Sequence, residues 1–147
     1  MQKYFEDKVK YKAILFDLDY TLFNESNFLR EVILFSKIFS NPEENIRKIS
    51  YSFRTKSHNI IDDILSLENK NTKKNSDYLF QIMKEINIEL SCYKGIARML
   101  NKLKENSIIK TCLVTNGVPE IQKNKLNILR LGKCFNQILF AKESGYQ

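Results

Sequence analysis

Two carboxylates lie close together near the start of the chain, directly after an apolar run. The stretch AILFDLDYTLF, residues 13–23, places Asp17 at the end of that run, Asp19 two residues later and Thr21 after both. Because an extended chain sends alternate side chains to opposite faces, Asp17 and Asp19 would point the same way if the strand continued. Two such carboxylates can divide a reaction between a nucleophile and an acid or base. The alternative is that one of them caps the next turn and the other is solvated.

A second group of polar residues follows a second apolar run. TCLVTNG, residues 111–117, ends in Thr115, Asn116 and Gly117. A hydroxyl and successive backbone N–H groups, at a strand end that leads into a helix, are suited to hold phosphate oxygens. Asn-Gly is also a common turn, and for this stretch alone that alternative stays open. If both runs are parallel strands, both polar groups lie at the sheet edge where α/β proteins bind ligands.

The surrounding pattern predicts the elements that would position these groups. Short apolar runs at residues 11–16, 108–114 and 138–140 are typical of strands buried in a parallel sheet. A helical pattern precedes the second and third runs. The first of these helices has Ile96, Met99, Leu100 and Leu103 on one face, and the other has a less regular face of Ile121, Lys125, Ile128 and Leu129. This alternation of strand and helix predicts right-handed parallel crossovers.

Residues 23–90 differ from the rest, because their apolar positions follow helical periods with no convincing strand. Four helices are predicted there. The first carries a stripe of Phe28, Val32, Phe35 and Phe39, and the second begins at Pro42 after Asn41. The third contains Ile60, Ile61, Ile64 and Leu65. The fourth is capped by Ser76, after a loop from Glu68 to Asn75. The predicted fold class is α/β, a partial Rossmann-like parallel sheet core with an α-helical insertion.

Composition narrows the function classes. With 147 residues and 43% hydrophobic content the chain is long enough for one core. The net charge of +7 is spread along the chain without the clustered stripe of a nucleic-acid module, although binding through that charge is kept as a weaker alternative. No apolar segment reaches the roughly 20 residues of a membrane span, and no secretory leader is evident, so we predict a cytoplasmic protein. The three cysteines fit buried apolar positions better than ligands or disulfides.

The two motifs together resemble a known family. AILFDLDYTLF resembles the first signature of the haloacid dehalogenase (HAD) superfamily, an aspartate nucleophile in the pattern DxDxT, and CLVTNG resembles its second. The lead-in LSCYKGIARMLNKLKENSIIKT, with Gly95, is similar as well, and the resemblance extends from about Tyr11 to Gln147. It implies that residues 1–22 and 91–147 form a partial HAD core domain and residues 23–90 a helical C1 cap domain.

The resemblance also implies a mechanism and site residues. Asp17 would attack phosphorus and form an aspartyl-phosphate, and Asp19 would act as acid and then base. Mg²⁺ would be bound by the Asp17 carboxylate and the Asp19 carbonyl, while Thr115 and the N–H of Asn116 would hold the phosphoryl oxygens. Because dehalogenases of the family lack an acid at the position of Asp19, its presence favours phosphate esters over carbon–halogen bonds.

The implied substrate is a small phosphorylated metabolite. TNGVPEIQKNKL, with Gln122 and Lys125, is similar to HAD nucleotidases that act on pyrimidine nucleoside monophosphates and to related sugar phosphatases. A nucleoside monophosphate is therefore the leading candidate. Arg54, Lys56 and His58 of the insertion would be placed to reach it, although a lone His58 also fits a solvated surface position.

The end of the sequence gives a further expectation. In the family a Lys-Pro pair with the third signature lysine follows the stretch that AKESGYQ resembles, and paired acids come later. The sequence stops at Gln147, and Lys142 lies too early to replace that lysine. The resemblance thus implies a truncated chain of impaired activity, with residues 13–16 on an exposed sheet edge prone to self-association. The alternative function is a non-catalytic HAD fragment that acts in protein association.

Overall fold

The elements alternate in the order that the sequence predicts. The computed structural model describes residues 12–52 and 60–141; the predicted substrate contacts Arg54, Lys56 and His58, and also Lys142, lie outside these ranges. The described elements are β1 (Ala13–Phe16), α1 (Glu25–Ser36), α2 (Pro42–Ser52), α3 (Ile60–Ser66), α4 (Lys73–Glu85), α5 (Ile96–Glu105), β2 (Lys110–Thr115), α6 (Pro119–Ile128) and β3 (Gln137–Phe140).

The three strands form one parallel sheet in the order β1-β2-β3. Phe16 pairs with Leu113, and Thr115 pairs with Phe140. The carboxyl ends of all three strands therefore meet at one edge, as the sequence predicts, and the α/β fold class with a Rossmann-like parallel sheet is confirmed. Within the described residues β1 has a single neighbour and forms one side of the sheet.

The strand register divides the sheet into two unlike faces. One face carries Thr111, Leu113 and Thr115 of β2, all buried, because helices pack over it. The opposite face is more open: Leu15 of β1 is 68% exposed and Leu139 of β3 is 37% exposed. A purely parallel sheet normally has both faces covered, so the open face leaves apolar surface in contact with water in this part of the chain.

The helical insertion between β1 and β2 supplies most of the core. Helices α1 and α4 pack on each other, and α4 also packs on α3 and α6. The fully buried large side chains are Leu18, Leu22, Phe23, Phe28, Leu29, Ile33, Ile61, Ile64, Leu65, Leu79, Leu100 and Leu113. Because this list runs from the segment after β1 through the insertion to β2, one continuous core joins the helices to the sheet. None of the described helices combines the length and the apolar character that crossing a membrane requires.

The predicted stripe of the first helix is partly wrong. Phe28 and Val32 are buried, but Phe35 is 61% exposed. The buried face of α1 also contains Leu29, Ile33 and Ser36, so its centre lies to one side of Phe35. Lys37 ends the helix in the left-handed conformation, with φ of 55°, and the chain turns so that Phe39 reaches the core from outside the helix.

The loops of the insertion are held by one carboxylate. Glu68 accepts hydrogen bonds from the backbone N–H groups of Ser40 and Asn41, at 2.8 and 2.9 Å, and from the Asn45 amide at 2.7 Å. Lys70 completes the set with an ion pair of 2.8 Å. The Lys70 ammonium and these N–H donors hold the pKa of Glu68 well below its usual range. These contacts stabilise the charged form of Glu68. They also hold the α1–α2 connection against the segment after α3.

Helix α4 begins earlier than predicted. Its N-cap is Thr72, whose hydroxyl accepts a hydrogen bond from the Asn75 N–H at 3.2 Å, and its first helical residue is Lys73. Ser76, the predicted cap, lies inside the helix and its N–H donates to the Thr72 carbonyl at 3.0 Å. Thr and Ser are both good caps, and the polar tract before them offered two possible starts.

Substitution of the two candidate caps should separate their roles. We expect Thr72→Ala to lower the free energy of unfolding by about 1 kcal/mol, because an N–H of the first turn loses its acceptor. Ser76→Ala is the matched control and should leave stability unchanged or slightly higher, since Ala is the better residue inside a helix. Urea denaturation followed by circular dichroism measures both. A larger loss in Ser76→Ala than in Thr72→Ala would contradict the assigned start of α4.

Candidate functional site

The first strand ends in a tight turn that carries both carboxylates. Leu22 N–H donates to the Leu18 carbonyl at 3.0 Å, and Tyr20 adopts a positive φ of 56°. Leu18 and Leu22 are fully buried and fix this turn to the core. The strand therefore does not continue past Asp17, yet both acids remain at the carboxyl edge of the sheet. Asp17 is exposed and Asp19 is half-buried.

A glutamine of α6 connects Asp19 to the end of β2. The Gln122 amide nitrogen donates to Asp19 Oδ2 at 2.7 Å and to Thr115 Oγ1 at 2.8 Å, and it lies 3.2 Å from the Asn116 carbonyl. Gln122 is buried, and its Oε1 has no hydrogen-bond partner among the described residues. Since three acceptors surround the nitrogen, the amide orientation is fixed by chemistry. A carboxylate after β1 and a hydroxyl from β2 thus share one donor.

A buried lysine of α6 binds the other oxygen of Asp19. Lys125 Nζ lies 2.8 Å from Asp19 Oδ1 and 2.5 Å from Glu25 Oε1, and its side chain is 3% exposed. The ammonium also lies 5.2 Å from the centre of the Phe28 ring. A buried cation needs such partners, because leaving water costs several kcal/mol per ion. The Lys125 ammonium hence has two carboxylates and an aromatic ring as partners.

The environment shifts the pKa of two carboxyl groups. Although Asp17 is exposed as a residue, partial burial of its carboxyl group raises its pKa; a hydrogen bond from Leu18 opposes this effect, and the nearby charge of Asp19 adds to it. Burial also raises the pKa of Glu25, against the attraction of Lys125. Two carboxylates in one short turn repel each other when both are charged. A cation placed between them would relieve that repulsion.

The structure gathers all four predicted site residues at one edge. Asp17 and Asp19 follow β1, while Thr115 and Asn116 end β2, and Gln122 contacts the last three. Asp19 is half-buried and Thr115 is fully buried, whereas Asp17 and Asn116 are exposed. Asp17 and Asn116 are therefore the members most open to solvent.

The donor set fits Mg²⁺. Carboxylate and carbonyl oxygens are the hard ligands that this ion prefers, and Mg²⁺ is commonly held by one or two carboxylates with waters and substrate phosphates. Residues 12–52 and 60–141 contain no group of three or more His, Cys, Asp or Glu that could hold a metal. The Asp17 carboxylate would be open to the ion, whereas both carboxylate oxygens of Asp19 are engaged by Gln122 and Lys125. This engagement favours the Asp19 carbonyl as the metal ligand.

Glu25 is the member of the site that sequence reasoning missed. Its position after the cap residue Asn24 marks a helix start, which explains an acid there without any further role. Gln122 was singled out only by resemblance and Lys125 also by its place on the predicted face of α6, with no partner assigned to either. A charged residue on the predicted inner face of α6 was the available signal, because a lysine there needs buried anions.

A parallel sheet with carboxylates at its carboxyl edge and a helical insertion after its first strand defines the chain as a Rossmann-like α/β protein with an edge site. The family model of haloacid dehalogenase-like hydrolases matches residues 11–146, and the chain therefore belongs to this family of hydrolases. No curated protein sequence matches the chain.

Solved structures agree with the fold. The HAD-hydrolase YfnB from Bacillus subtilis, bound to magnesium, is 18% identical with a TM-score of 0.61, covering 93% of this chain and 66% of its own. A phosphatase structure from Clostridium difficile is 18% identical with a TM-score of 0.61, covering 88% and 60%. L-2-haloacid dehalogenase from Xanthobacter autotrophicus is 14% identical with a TM-score of 0.59, covering 91% and 58%. The chain spans less than two thirds of each neighbour, and such identities show the fold alone.

Gly117 leaves the space that Gln122 occupies. A Cβ at this position would lie 2.9 Å from the Gln122 amide nitrogen and 3.1 Å from its Cδ. We expect Gly117→Ala to displace Gln122 from Asp19 and Thr115 and to lower the free energy of unfolding by about 1–3 kcal/mol, as overpacking does. Gly132→Ala is the matched control, because a Cβ there meets nothing within 4 Å. Urea denaturation and the side-chain amide signals of Gln122 in NMR spectra measure the effects; equal stability of the two variants would contradict this packing.

Proposed function

We propose that the chain carries the site of a Mg²⁺-dependent phosphomonoester phosphatase that forms an aspartyl-phosphate on Asp17. The observation that carries the proposal is the shared donor: Gln122 contacts both the Asp19 carboxylate and the Thr115 hydroxyl, 2.7 and 2.8 Å away. Gln122 thereby holds an acid-base group and a phosphate-binding hydroxyl together, at the edge of the sheet that also carries the exposed Asp17. Membership of the hydrolase family supports the reaction class.

In the first step a carboxylate oxygen of Asp17 attacks phosphorus. A new bond forms between that oxygen and phosphorus, while the bond from phosphorus to the ester oxygen breaks. Asp19, protonated when the substrate is bound, gives its proton to the leaving alcohol, which departs neutral, and the carboxylate that remains pairs with Lys125. The Thr115 hydroxyl and the backbone N–H of Asn116 donate hydrogen bonds to the phosphoryl oxygens, where charge accumulates.

In the second step water hydrolyses the acyl phosphate. The Asp19 carboxylate, left by the first step, takes a proton from the attacking water, and inorganic phosphate leaves with both electrons of the Asp17 oxygen–phosphorus bond staying on Asp17. The site returns to its starting state with one phosphate ester and one water consumed. General acid-base help of this kind is typically worth about 10² to 10⁴-fold in rate.

Bound Mg²⁺ would reduce the repulsion between the anionic phosphate and the Asp17 carboxylate. The Asp17 carboxylate and the Asp19 carbonyl are the ligands that we assign to it. A magnesium-bound structure among the neighbours supports the choice of metal.

The substrate class follows from Asp19. Neighbours of the same fold include both phosphatases and dehalogenases. Loss of an alkoxide from phosphorus needs a proton donor, whereas loss of a halide does not, so an acid at Asp19 favours phosphate esters. We assign residues 23–90 as the cap, because α1 begins directly after the turn that carries Asp17 and Asp19, and its first residue, Glu25, contacts the same lysine as Asp19. A nucleoside monophosphate is the leading substrate within this class.

Substitution of the acids tests the proposal. Asp17→Asn should lower Mg²⁺-dependent hydrolysis of p-nitrophenyl phosphate and of a nucleoside monophosphate panel about 10³-fold or more, because the nucleophile is lost. Asp19→Asn should lower it about 10² to 10⁴-fold. Chelation of Mg²⁺ should lower the rate of hydrolysis as much as Asp17→Asn does.

The matched control is Asp63→Asn, which removes an exposed carboxylate of α3. It should keep the activity of the unchanged chain. Calorimetric binding of inorganic phosphate with and without Mg²⁺ gives a readout that does not need turnover. The proposal would be refuted if the chain showed neither Mg²⁺-dependent turnover nor Mg²⁺-dependent phosphate binding. It would also be refuted if Asp17→Asn left both of them unchanged.

Self-association through β1 is a second candidate function. Leu15 is 68% exposed on a strand with one neighbour in the described sheet. An antiparallel pairing of two copies of β1 places Lys12 of one copy opposite Asp17 of the other, which makes the edge self-complementary in charge. A second copy of this chain is therefore the partner that the edge fits.

Leu15→Lys should abolish this association. A lysine on an edge strand opposes pairing, and the two copies would place like charges near each other. Ile108→Lys is the control, because Ile108 is 59% exposed but lies before β2, away from the β1 edge. Light scattering over a range of concentrations measures the oligomeric state. A monomer at all concentrations, or equal association of both variants, would exclude pairing through β1.

A further inference from the structure

One buried ammonium contacts the candidate site and the helical insertion at the same time. Lys125 of α6 lies 2.8 Å from Asp19, which follows β1, and 2.5 Å from Glu25, the first residue of α1. We call the set of Asp19, Lys125 and Glu25 the lysine clasp. Glu25 does not take part in the proposed chemistry, and neither does Lys125. The clasp thus contains a buried lysine and a half-buried glutamate whose role the reaction leaves open.

Helix α1 provides a second contact beside Glu25. The Phe28 ring, one helical turn later, lies 5.2 Å from Lys125 Nζ, within the range of a cation–π interaction. Residues three apart lie on the same face of a helix. The first turn of α1 therefore presents both an anion and an aromatic ring to Lys125, and its position is defined by that ammonium.

The linkers that attach the insertion to the sheet lie side by side. Tyr93 N–H donates to the Leu22 carbonyl at 2.9 Å, and Phe23 pairs with Cys92. A helical unit held through two adjacent linkers can rotate about them, as hinged domains do. Contacts away from the linkers must then fix its position. Helix α6 supplies them through Lys125 and through Asn124, whose amide donates to the carbonyls of Met83 and Ile86 at 3.1 and 3.0 Å.

We propose that Lys125 is a positioning residue that couples the placement of α1 to the placement of the Asp19 carboxylate. The catalytic consequence of this coupling rests on the proposed phosphatase function. With α1 docked, the charge of Lys125 is divided between Glu25 and Asp19. Without Glu25 the whole charge acts on Asp19 and holds that carboxylate more firmly against α6, away from a substrate.

Hydrogen exchange measures the mechanical part of the coupling. We expect Lys125→Met to raise amide exchange about tenfold in two separate segments, residues 18–22 and residues 25–29, which is within the range for members of one ion-pair network. Exchange in α5 should change much less. Lys125→Arg, which keeps the charge, should restore most of the protection, and Lys102→Met is the matched control for loss of an exposed lysine.

A variant that weakens the fold without touching the clasp separates coupling from general instability. Leu100→Ala opens a cavity in the core under α5 and should raise exchange across the sheet and its helices together. The coupling does not exist if Lys125→Met raises amide exchange in that same uniform pattern. It also does not exist if amide exchange in residues 18–22 is equally slow in Lys125→Met and in the chain without substitutions.

Kinetics measure the catalytic part. Glu25→Gln should lower kcat about tenfold with little change in KM, because Glu25 acts through Lys125 and does not touch the substrate. In the Lys125→Met background the same substitution should have no further effect on kcat, since a contact between neighbours is not additive. Additive losses of kcat would overturn the coupling.

The two readouts separate this inference from the proposed function. If no form of the chain shows Mg²⁺-dependent turnover or phosphate binding, the phosphatase proposal fails, and the exchange pattern alone decides whether the clasp couples the two segments. If the chain is active but Glu25→Gln has the same kcat and the same amide exchange as the chain without substitutions, the coupling fails while the phosphatase proposal stands.

Discussion

The burial of the Lys125 ammonium is the constraint on which the rest of the site depends. An ion removed from water costs several kcal/mol, and only well-placed anions offset that cost. Asp19 and Glu25 supply them at 2.8 and 2.5 Å. Both acids are therefore held where the ammonium is, and the turn after β1 and the start of α1 must lie on the same side of α6. The local order of the site follows from the pairing of the Lys125 ammonium with these two carboxylates.

That constraint explains why α6 is more than a crossover between β2 and β3. Its buried residues Gln122 and Lys125 are polar, where a helix packed on a sheet is normally apolar. Gln122 bonds with the end of β2 and with Asp19 after β1, and Lys125 bonds with the insertion, so the helix joins three parts of the molecule by polar contacts. Removal of Lys125 would leave the half-buried Glu25 without its ammonium partner, which costs more than the contact itself contributes.

Much of the fold could be predicted because its signals are local. Apolar runs gave the three strands, and the Asn41-Pro42 sequence gave the start of α2 at the residue where the structure has it. The start of α4 was misplaced because Thr72 and Ser76 are both capable caps, and the choice between them depends on where the preceding loop is held. Phe35 was assigned to the core because a stripe at helical spacing fixes a period but not its exact phase. Such choices are made by tertiary packing, which no short window contains.

The site was predicted in part for the same reason. Asp17, Asp19, Thr115 and Asn116 stand at strand ends, and strand ends in a parallel sheet meet at one edge whatever the intervening sequence. Glu25 has no such signal, because its partner Lys125 lies on a helix 100 positions later and the two meet only once the insertion packs on α6. An acid in the first turn of a helix is already explained by the helix dipole. A lysine on an inner face is the more informative residue, since its charge requires anions from elsewhere in the fold, and a search for those anions leads to Asp19 and Glu25.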